Sequence, residues 1–263
     1  EQCKKRDNIT IKEYWTMVDI IPNREADRET NECLGVVVKK ADGTLDTIYA
    51  DFTVLASGGI GGIYRYSTNY RHLTGDAVAT AIRHNVELKD IDYVQIHPTT
   101  FYSEKEEDRS FLISESVRGE GALLYDKDKE RFTEELLPRD LLTNEIKKQM
   151  KKDGTNHVWL SMKPIEKEQL TTHFPNIVEH CREQGYNVPD EMIPVVPAQH
   201  YFMGGIHVDR HSKTTMEHLY AIGETSCNGV HGKNRLASNS LLESLVFARR
   251  AAQDMAEQDL KNA

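Results

Sequence analysis

The chain has 263 residues, of which 38% are hydrophobic and 29% charged, enough to bury one large core or two modest ones. A net charge of −9 at pH 7 with no basic stripe excludes nucleic acid as an expected partner. No apolar run approaches the roughly 20 residues of a membrane span, and the start Glu1-Gln2-Cys3-Lys4-Lys5-Arg6 has no signal-peptide character, so no membrane partner is expected.

Gly35–Lys39 and Leu45–Ala50 are strand-like runs around Ala41-Asp42-Gly43-Thr44, and Asp-Gly between β-rich runs predicts a hairpin. Phe52-Thr53-Val54-Leu55-Ala56 has the length of a buried strand and stops at Ser57-Gly58-Gly59, where glycines let a ligand approach the backbone. A tight turn explains those glycines equally well, since Tyr64 occupies the third position of any G-x-G-x-x-G read from Gly59. Gly75-Asp76 opens a helix with Asp76 in the cap region. From about Asp92 the pattern changes to extended pieces such as Tyr93–Pro98 and Val158–Leu160 between polar helices. Helices are predicted over Pro138–Lys152, Ile165–Thr172 and Asn176–Gln184, the last two separated by Pro175. Strands return at Tyr201–Val208 and Leu219–Ile222. A final helix is predicted over Ser240–Gln258, with Leu241, Leu242, Leu245, Val246, Ala252 and Met255 near one face. Ser240 and Glu243 have the S-x-x-E spacing of a capping box. The fold class is α/β, part of a Rossmann-like domain interrupted by an α+β insert. Cys3, Cys33, Cys181 and Cys227 form no C-x-x-C pair, which fits reduced cytoplasmic thiols and offers no metal site.

Several polar residues stand in contexts unlike ordinary surface. Arg235 lies in the loop Gly229-Val230-His231-Gly232-Lys233-Asn234-Arg235, just before a helix N-terminus whose free N–H groups and dipole favour an anion. His97 follows a strand and precedes Pro98, while His200 lies between Pro197 and the pair Gly204-Gly205. Glu115, Arg118 and Glu120 crowd into one short segment, and Arg139 opens a helix where the dipole opposes its charge. Each has a bland explanation: a satisfied core histidine, a structural ion pair for Arg118, a solvated first-turn residue for Arg139. Together, two histidines and two arginines in an acidic chain suit a dicarboxylate, because guanidinium forks grip carboxylates and imidazoles donate hydrogen bonds or move protons.

These segments resemble the succinate dehydrogenase and fumarate reductase flavoprotein family. The resemblance rests on Ala56-Ser57-Gly58-Gly59, Thr74-Gly75-Asp76, Gln95-Ile96-His97-Pro98-Thr99 and Ser114-Glu115-Ser116-Val117-Arg118-Gly119-Glu120-Gly121-Ala122. It continues in order through Pro138-Arg139-Asp140, Val196-Pro197-Ala198-Gln199-His200-Tyr201, Tyr220-Ala221-Ile222-Gly223-Glu224 and the Arg235 loop, spanning about Val36 to Ala252. The wordings at Val196–Tyr201 and Ala237–Glu243 are most similar to the L-aspartate-oxidising branch.

The resemblance implies FAD as cofactor and oxidation of L-aspartate to iminoaspartate by hydride transfer, the first step of de novo NAD biosynthesis. L-Aspartate or related dicarboxylates such as fumarate are the implied ligands, and quinolinate synthase the implied protein partner. His97, Glu115, Arg139, His200 and Arg235 match the family's substrate-site positions. Arg139 matches its proton-transfer arginine, a role in tension with a guanidinium that stays protonated. Ala56, Gly58, Gly59 and Asp76 match a cofactor-contacting turn, Glu224 the acid on the flavin's ribose, and Ser240, Leu241 and Leu242 the helix start under the ring. The implied organisation is a partial FAD-binding domain over 1–92, a capping domain over 93–206 and a returning FAD-binding segment over 207–263.

The sequence departs from the family at Ala77, where a second glycine is common and a methyl is expected to narrow the cofactor's approach. Ser114 replaces a common threonine and Lys233 a common alanine. No G-x-G-x-x-G follows a strand and the first residue is not Met, so an internal piece is expected, inactive alone, with FAD a cofactor of the full-length enzyme and its affinity for the piece weak or absent. Two other readings stay open: a succinate dehydrogenase or fumarate reductase-like subunit, and a non-catalytic dicarboxylate-binding fragment.

Overall fold

The computed structural model describes residues 1–25, 28–105 and 108–262. Strands β1 (Thr16–Glu25), β2 (Arg28–Lys39) and β3 (Leu45–Tyr49) form an antiparallel sheet in that order. Lys39 opposite Leu45 brackets the Asp42-Gly43 turn, where Gly43 takes φ 87° and donates its N–H to the Lys40 carbonyl at 2.9 Å. The predicted hairpin is therefore present, and extends upstream of Gly35 into a long ladder with β1.

β4 (Thr53–Leu55) runs parallel to β11 (Leu219–Ala221), with Leu55 opposite Ala221. Beyond β4, α1 (Asp76–Arg83) begins after Gly75, a left-handed residue at φ 80° that serves as its cap; Asp76 is the first helical residue. Short β5 (Leu88–Lys89), β10 (Gly205–His207) and β12 (Ser226–Cys227) make a further sheet in the order β12-β10-β5. The side chains of Ile20, Leu55, Ala77, Ala81, Ile206 and Leu219 pack as one core between these elements. The Ala77 methyl, fully buried there, points into the core rather than toward a cofactor's approach.

The intervening chain folds on a four-stranded antiparallel sheet made of β6 (Val94–Phe101), β7 (Leu123–Tyr125), β8 (Val158–Ser161) and β9 (Ile193–Phe202), in the order β6-β9-β8-β7. Four helices accompany it: α2 (Glu115–Gly119), α3 (Arg139–Asp153), α4 (Lys167–His173) and α5 (Pro175–Glu183). Helix α3 has both predicted ends, Pro138 at the cap and left-handed Gly154 closing it through a bond to the Met150 carbonyl. Pro175 is the first residue of α5 rather than a spacer, a position where its missing N–H costs nothing. Ile113, Leu124, Leu142, Ile146, Leu160 and Ile193 are fully buried in this second core.

The last helix, α6 (Asn239–Asn262), differs from its sequence prediction in two ways. It starts at Asn239, so Ser240 is not the cap, and no capping box forms. Glu243 instead accepts from the Asn228 side-chain amide and from Ser244 Oγ. The inward face is also not the leucine face: Glu243, Phe247 and Ala251 are at most 7% exposed, whereas Leu241, Leu242 and Leu245 are at least 63% exposed. No helix among the described residues is long and apolar enough to cross a membrane.

Candidate active site

Strands β6 and β9 bring the two histidines together. Gln95 pairs with Tyr201 and Ile96 with Gln199, so His200 is the extra residue of a β-bulge, a device that re-aims a side chain. Its ring meets that of His97 edge to face, with centroids 5.3 Å apart. Both are neutral at ordinary pH. Burial first, then the charges of Arg235 and Arg139, push the His200 pKa down to about 4. His97, 1% exposed, is held well below its usual range by burial, then by His200, Arg139 and Arg118. Each ring is anchored through Nδ1, at 2.8 Å from Thr68 Oγ1 for His200 and 3.0 Å from the Thr99 carbonyl for His97. That leaves Nε2 of each ring as the nitrogen available to a ligand.

Arg139 is not solvated, despite its place in the first turn of α3. Its Nε donates to Glu115 Oε2 at 2.7 Å and its Nη1 to Gln95 Oε1 at 3.1 Å. Glu115 itself begins α2, which is capped by Ser114: the hydroxyl accepts from the Ser116 N–H at 3.3 Å, so serine does what threonine would. Arg118 is buried and donates Nη1 to the Glu135 carbonyl; its Nε and Nη2 have no hydrogen-bond partner among the described residues. The ion pair expected for it is not what holds it.

Arg235 is 6% exposed and stacks its guanidinium over the Tyr201 ring, 4.7 Å from the centroid. Nη1 makes two long bonds, to the Leu236 carbonyl (3.3 Å) and Ser240 Oγ (3.4 Å), and Nε makes none among the described residues. Burial and the nearby Arg139 charge lower its pKa, yet a guanidinium remains a cation. A buried cation that makes no ion pair among the described residues is an anion site in chemical terms. Lys233, in the same loop, lies over the Tyr93 ring at 5.1 Å.

Glu224 stands opposite. It follows the end of β11, and its Oε1 accepts the Phe202 N–H at 2.9 Å. Burial raises its pKa to about 7. Gly59 makes room for it, since a Cβ there would lie 2.4 Å from Glu224 Oε1. Ala56, Gly58 and Gly59 form the turn after β4, beside the end of β11 through the Ile222 N–H to Leu55 carbonyl bond of 2.9 Å. Asp76 lies farther along, exposed, with Oδ1 accepting from Thr74 Oγ1 at 2.9 Å.

These parts share one cavity of about 510 Å³, lined by His97, Glu115, Arg139, His200, Glu224, Arg235, Ser240 and Leu241. Ala56, Gly58, Gly59, Asp76 and Leu242 lie outside its lining. The residues fit a flavin. A half-buried carboxylate suits a ribose hydroxyl, and the exposed Leu241 with the N–H groups opening α6 suits a flat ring whose edge gains negative charge on reduction. Among the residues that escaped the sequence reading are Gln95 and Thr68, which hold Arg139 and His200. Gln95 had a signal: it is two positions before His97 on a strand, hence on the same face. Thr68, in a loop, had none.

Comparison with known proteins agrees with this fit. The family profile described as FAD binding domain matches residues 1–241. The L-aspartate oxidase of Clostridium perfringens is 54% identical over 252 residues, covering 96% of this chain and 56% of that protein. The one from Clostridium acetobutylicum is 48% identical, covering 97% of this chain and 57% of that protein. The chain thus spans little more than half the length of these relatives. Among solved structures, a variant E. coli quinol fumarate reductase superposes with a TM-score of 0.86 at 30% identity, over 99% of this chain and 47% of that one. The chain belongs to the FAD-binding domain family, in the succinate dehydrogenase and fumarate reductase flavoprotein group that includes the L-aspartate oxidases.

Proposed function

We propose that this chain carries the substrate-facing part of an L-aspartate oxidase, which converts L-aspartate to iminoaspartate as the first step of NAD biosynthesis. One observation carries the reading: two guanidinium cations and two neutral imidazoles face the same cavity as a half-buried carboxylate and a helix start. The 54% identity with an L-aspartate oxidase supports the amine-bearing substrate over succinate.

In this reading His97, His200 and Arg235, which all line the cavity, hold the two carboxylates of L-aspartate. Bound FAD supplies the hydride acceptor. Glu224, Ser240, Leu241 and Leu242 would hold its ribose and ring, with Ala56, Gly58, Gly59 and Asp76 on the adjoining turn. Binding orients the substrate Cα–H bond, which is worth several kcal/mol when the geometry is fixed. Arg139 acts as a cation fixed by its bonds to Glu115 and Gln95. Glu115, pinned to Arg139 Nε and lining the cavity, takes the amine's departing proton, with water as the other acceptor.

The division at 92/93 and 206/207 belongs to the same proposal, supported by two separate cores, one on the β6–β9 sheet and one around β4, β11 and α1. The free cysteines support a reducing, cytoplasmic setting. Iminoaspartate is an imine exposed to water, which supports delivery to quinolinate synthase.

The test is steady-state turnover by the full-length, FAD-loaded protein, with L-aspartate or succinate as donor and oxygen or fumarate as acceptor. L-Aspartate is expected to be oxidised with either acceptor and succinate negligibly. Preference for succinate would assign the site to a fumarate reductase-like subunit instead.

A further inference from the structure

We infer that Gln95 is a positioning residue, an amide strut that fixes the Arg139 guanidinium against the backbone of Arg235. The inference rests on the site reading above and extends it to a residue outside the cavity lining. Gln95 is 4% exposed. Its Oε1 accepts from Arg139 Nη1 at 3.1 Å, while its Nε2 donates to the Arg235 carbonyl at 2.8 Å and to Asn234 Oδ1 at 3.0 Å. The amide can face only this way, because a guanidinium has no acceptor and a carbonyl has no donor.

Arg139 needs such a strut. Its long side chain leaves a helix start that repels its charge, and the Arg235 cation stands across the same cavity. Glu115 fixes one edge of the fork through Nε, but a single bond leaves the plane free to turn about it. Gln95 supplies the second bond, on Nη1, and so sets the plane. Nη2 then makes no hydrogen bond among the described residues and is the edge left for the ligand. The strut's other end is the backbone of the residue that carries the second cation, so the Arg139 guanidinium and the Arg235 backbone are held at one spacing.

Removing the strut should therefore act on turnover more than on binding. In the full-length, FAD-loaded protein, Gln95→Met removes all three bonds at similar volume, and Gln95→Glu keeps an acceptor for Arg139 Nη1 while losing the donor to the Arg235 carbonyl and to Asn234. We expect kcat with L-aspartate to fall about 100-fold in Gln95→Met, the scale of a misplaced catalytic group, with KM within about threefold. Gln95→Glu should retain at least about ten times the turnover of Gln95→Met, because it keeps the bond that orients Arg139. Wild-type kcat in Gln95→Met would overturn the strut. So would equal losses in both variants that track a lower melting temperature or FAD content, which mark a purely structural role. If the wild type itself fails with L-aspartate, the functional reading falls and takes the strut with it; failure confined to the variants removes the strut alone.

Discussion

Arg139 shows how a residue that looks misplaced in the sequence becomes functional through its partners. A cation in the first turn of a helix is unfavourable by itself; here it is 11% exposed at the side chain and bonded on two sides, to Glu115 and Gln95. Lysine cannot make both bonds, since an ammonium is a point charge without the planar fork. Arg139→Lys is therefore expected to bind dicarboxylates nearly as before and to lose roughly 100-fold in kcat, read by calorimetry and steady-state assay. Unchanged turnover would remove Arg139 from the chemistry. His200 makes a different prediction, about stability. Its pKa falls to about 4 in the folded protein from an ordinary 6.5, so below pH 6.5 the unfolded chain binds a proton that the native state refuses. Stability at this site is thus full above pH 6.5 and is lost as pH falls toward 4, by about 3 kcal/mol at the limit. Glu224 works in the opposite direction: its pKa rises to about 7, so its contribution is full below its ordinary 4.5 and is lost as pH rises through 7. Because the two offset, the measurement is a comparison of denaturant unfolding for His200→Gln and wild type at each pH. The variant should gain on the wild type as pH drops from 6.5 to 4; a constant difference would show that His200 is not held neutral by the fold.

At the scale of elements, the site is built where strands end and a helix begins. β4 and β11 run parallel and finish together, so that the Gly58-Gly59 turn and Glu224 meet at one edge. Gly59→Ala would place a methyl carbon 2.4 Å from Glu224 Oε1, and the carboxylate is the group that must move. Flavin titration by fluorescence should show FAD affinity weakened about tenfold or more, the cost of one lost charged hydrogen bond; undiminished affinity would separate Glu224 from the cofactor. Much of this layer was legible beforehand. The hairpin at Asp42-Gly43, the strand ending at Gly58-Gly59 and the bounded helix from Pro138 to Gly154 follow from turn and cap chemistry local to the sequence. Helix α6 was legible in existence and not in facing. Its leucines suggest an inner face, but Glu243 turns inward because Asn228 and Ser244 satisfy its carboxylate, and the same contact removes it from the capping box. Such contacts depend on residues distant in sequence, which periodicity does not record. The bulge that aims His200 was hidden for the same reason, being a relation between two strands.

At the scale of the molecule, residues spread from His97 to Leu241 surround one cavity because a four-stranded insert returns the chain to the elements it left. The histidines and Arg139 come from the insert's sheet and its first long helix, Glu224 and α6 from the chain that follows it. The candidate residues could be picked out singly by their glycine, proline and charge contexts, and the family resemblance set them in order. Their convergence needed the fold. Burial explains the rest of the site's character: it keeps both imidazoles neutral, leaves Arg235 short of an acceptor and raises the Glu224 pKa to about 7. The Gly229–Arg235 loop and the helix after it thereby acquire two directions, with Arg235 toward a dicarboxylate and the start of α6 toward a flavin ring. The most direct test mixes the full-length, FAD-loaded protein with L-aspartate in the absence of oxygen and follows flavin reduction by absorbance, in the wild type and in Arg235→Gln. The wild-type flavin should bleach in a single turnover, and the variant, with its FAD content intact, at least about 100-fold more slowly, the range for losing a buried charged contact in the transition state. A variant flavin reduced at the wild-type rate, or a wild-type flavin that L-aspartate leaves oxidised, would contradict the account.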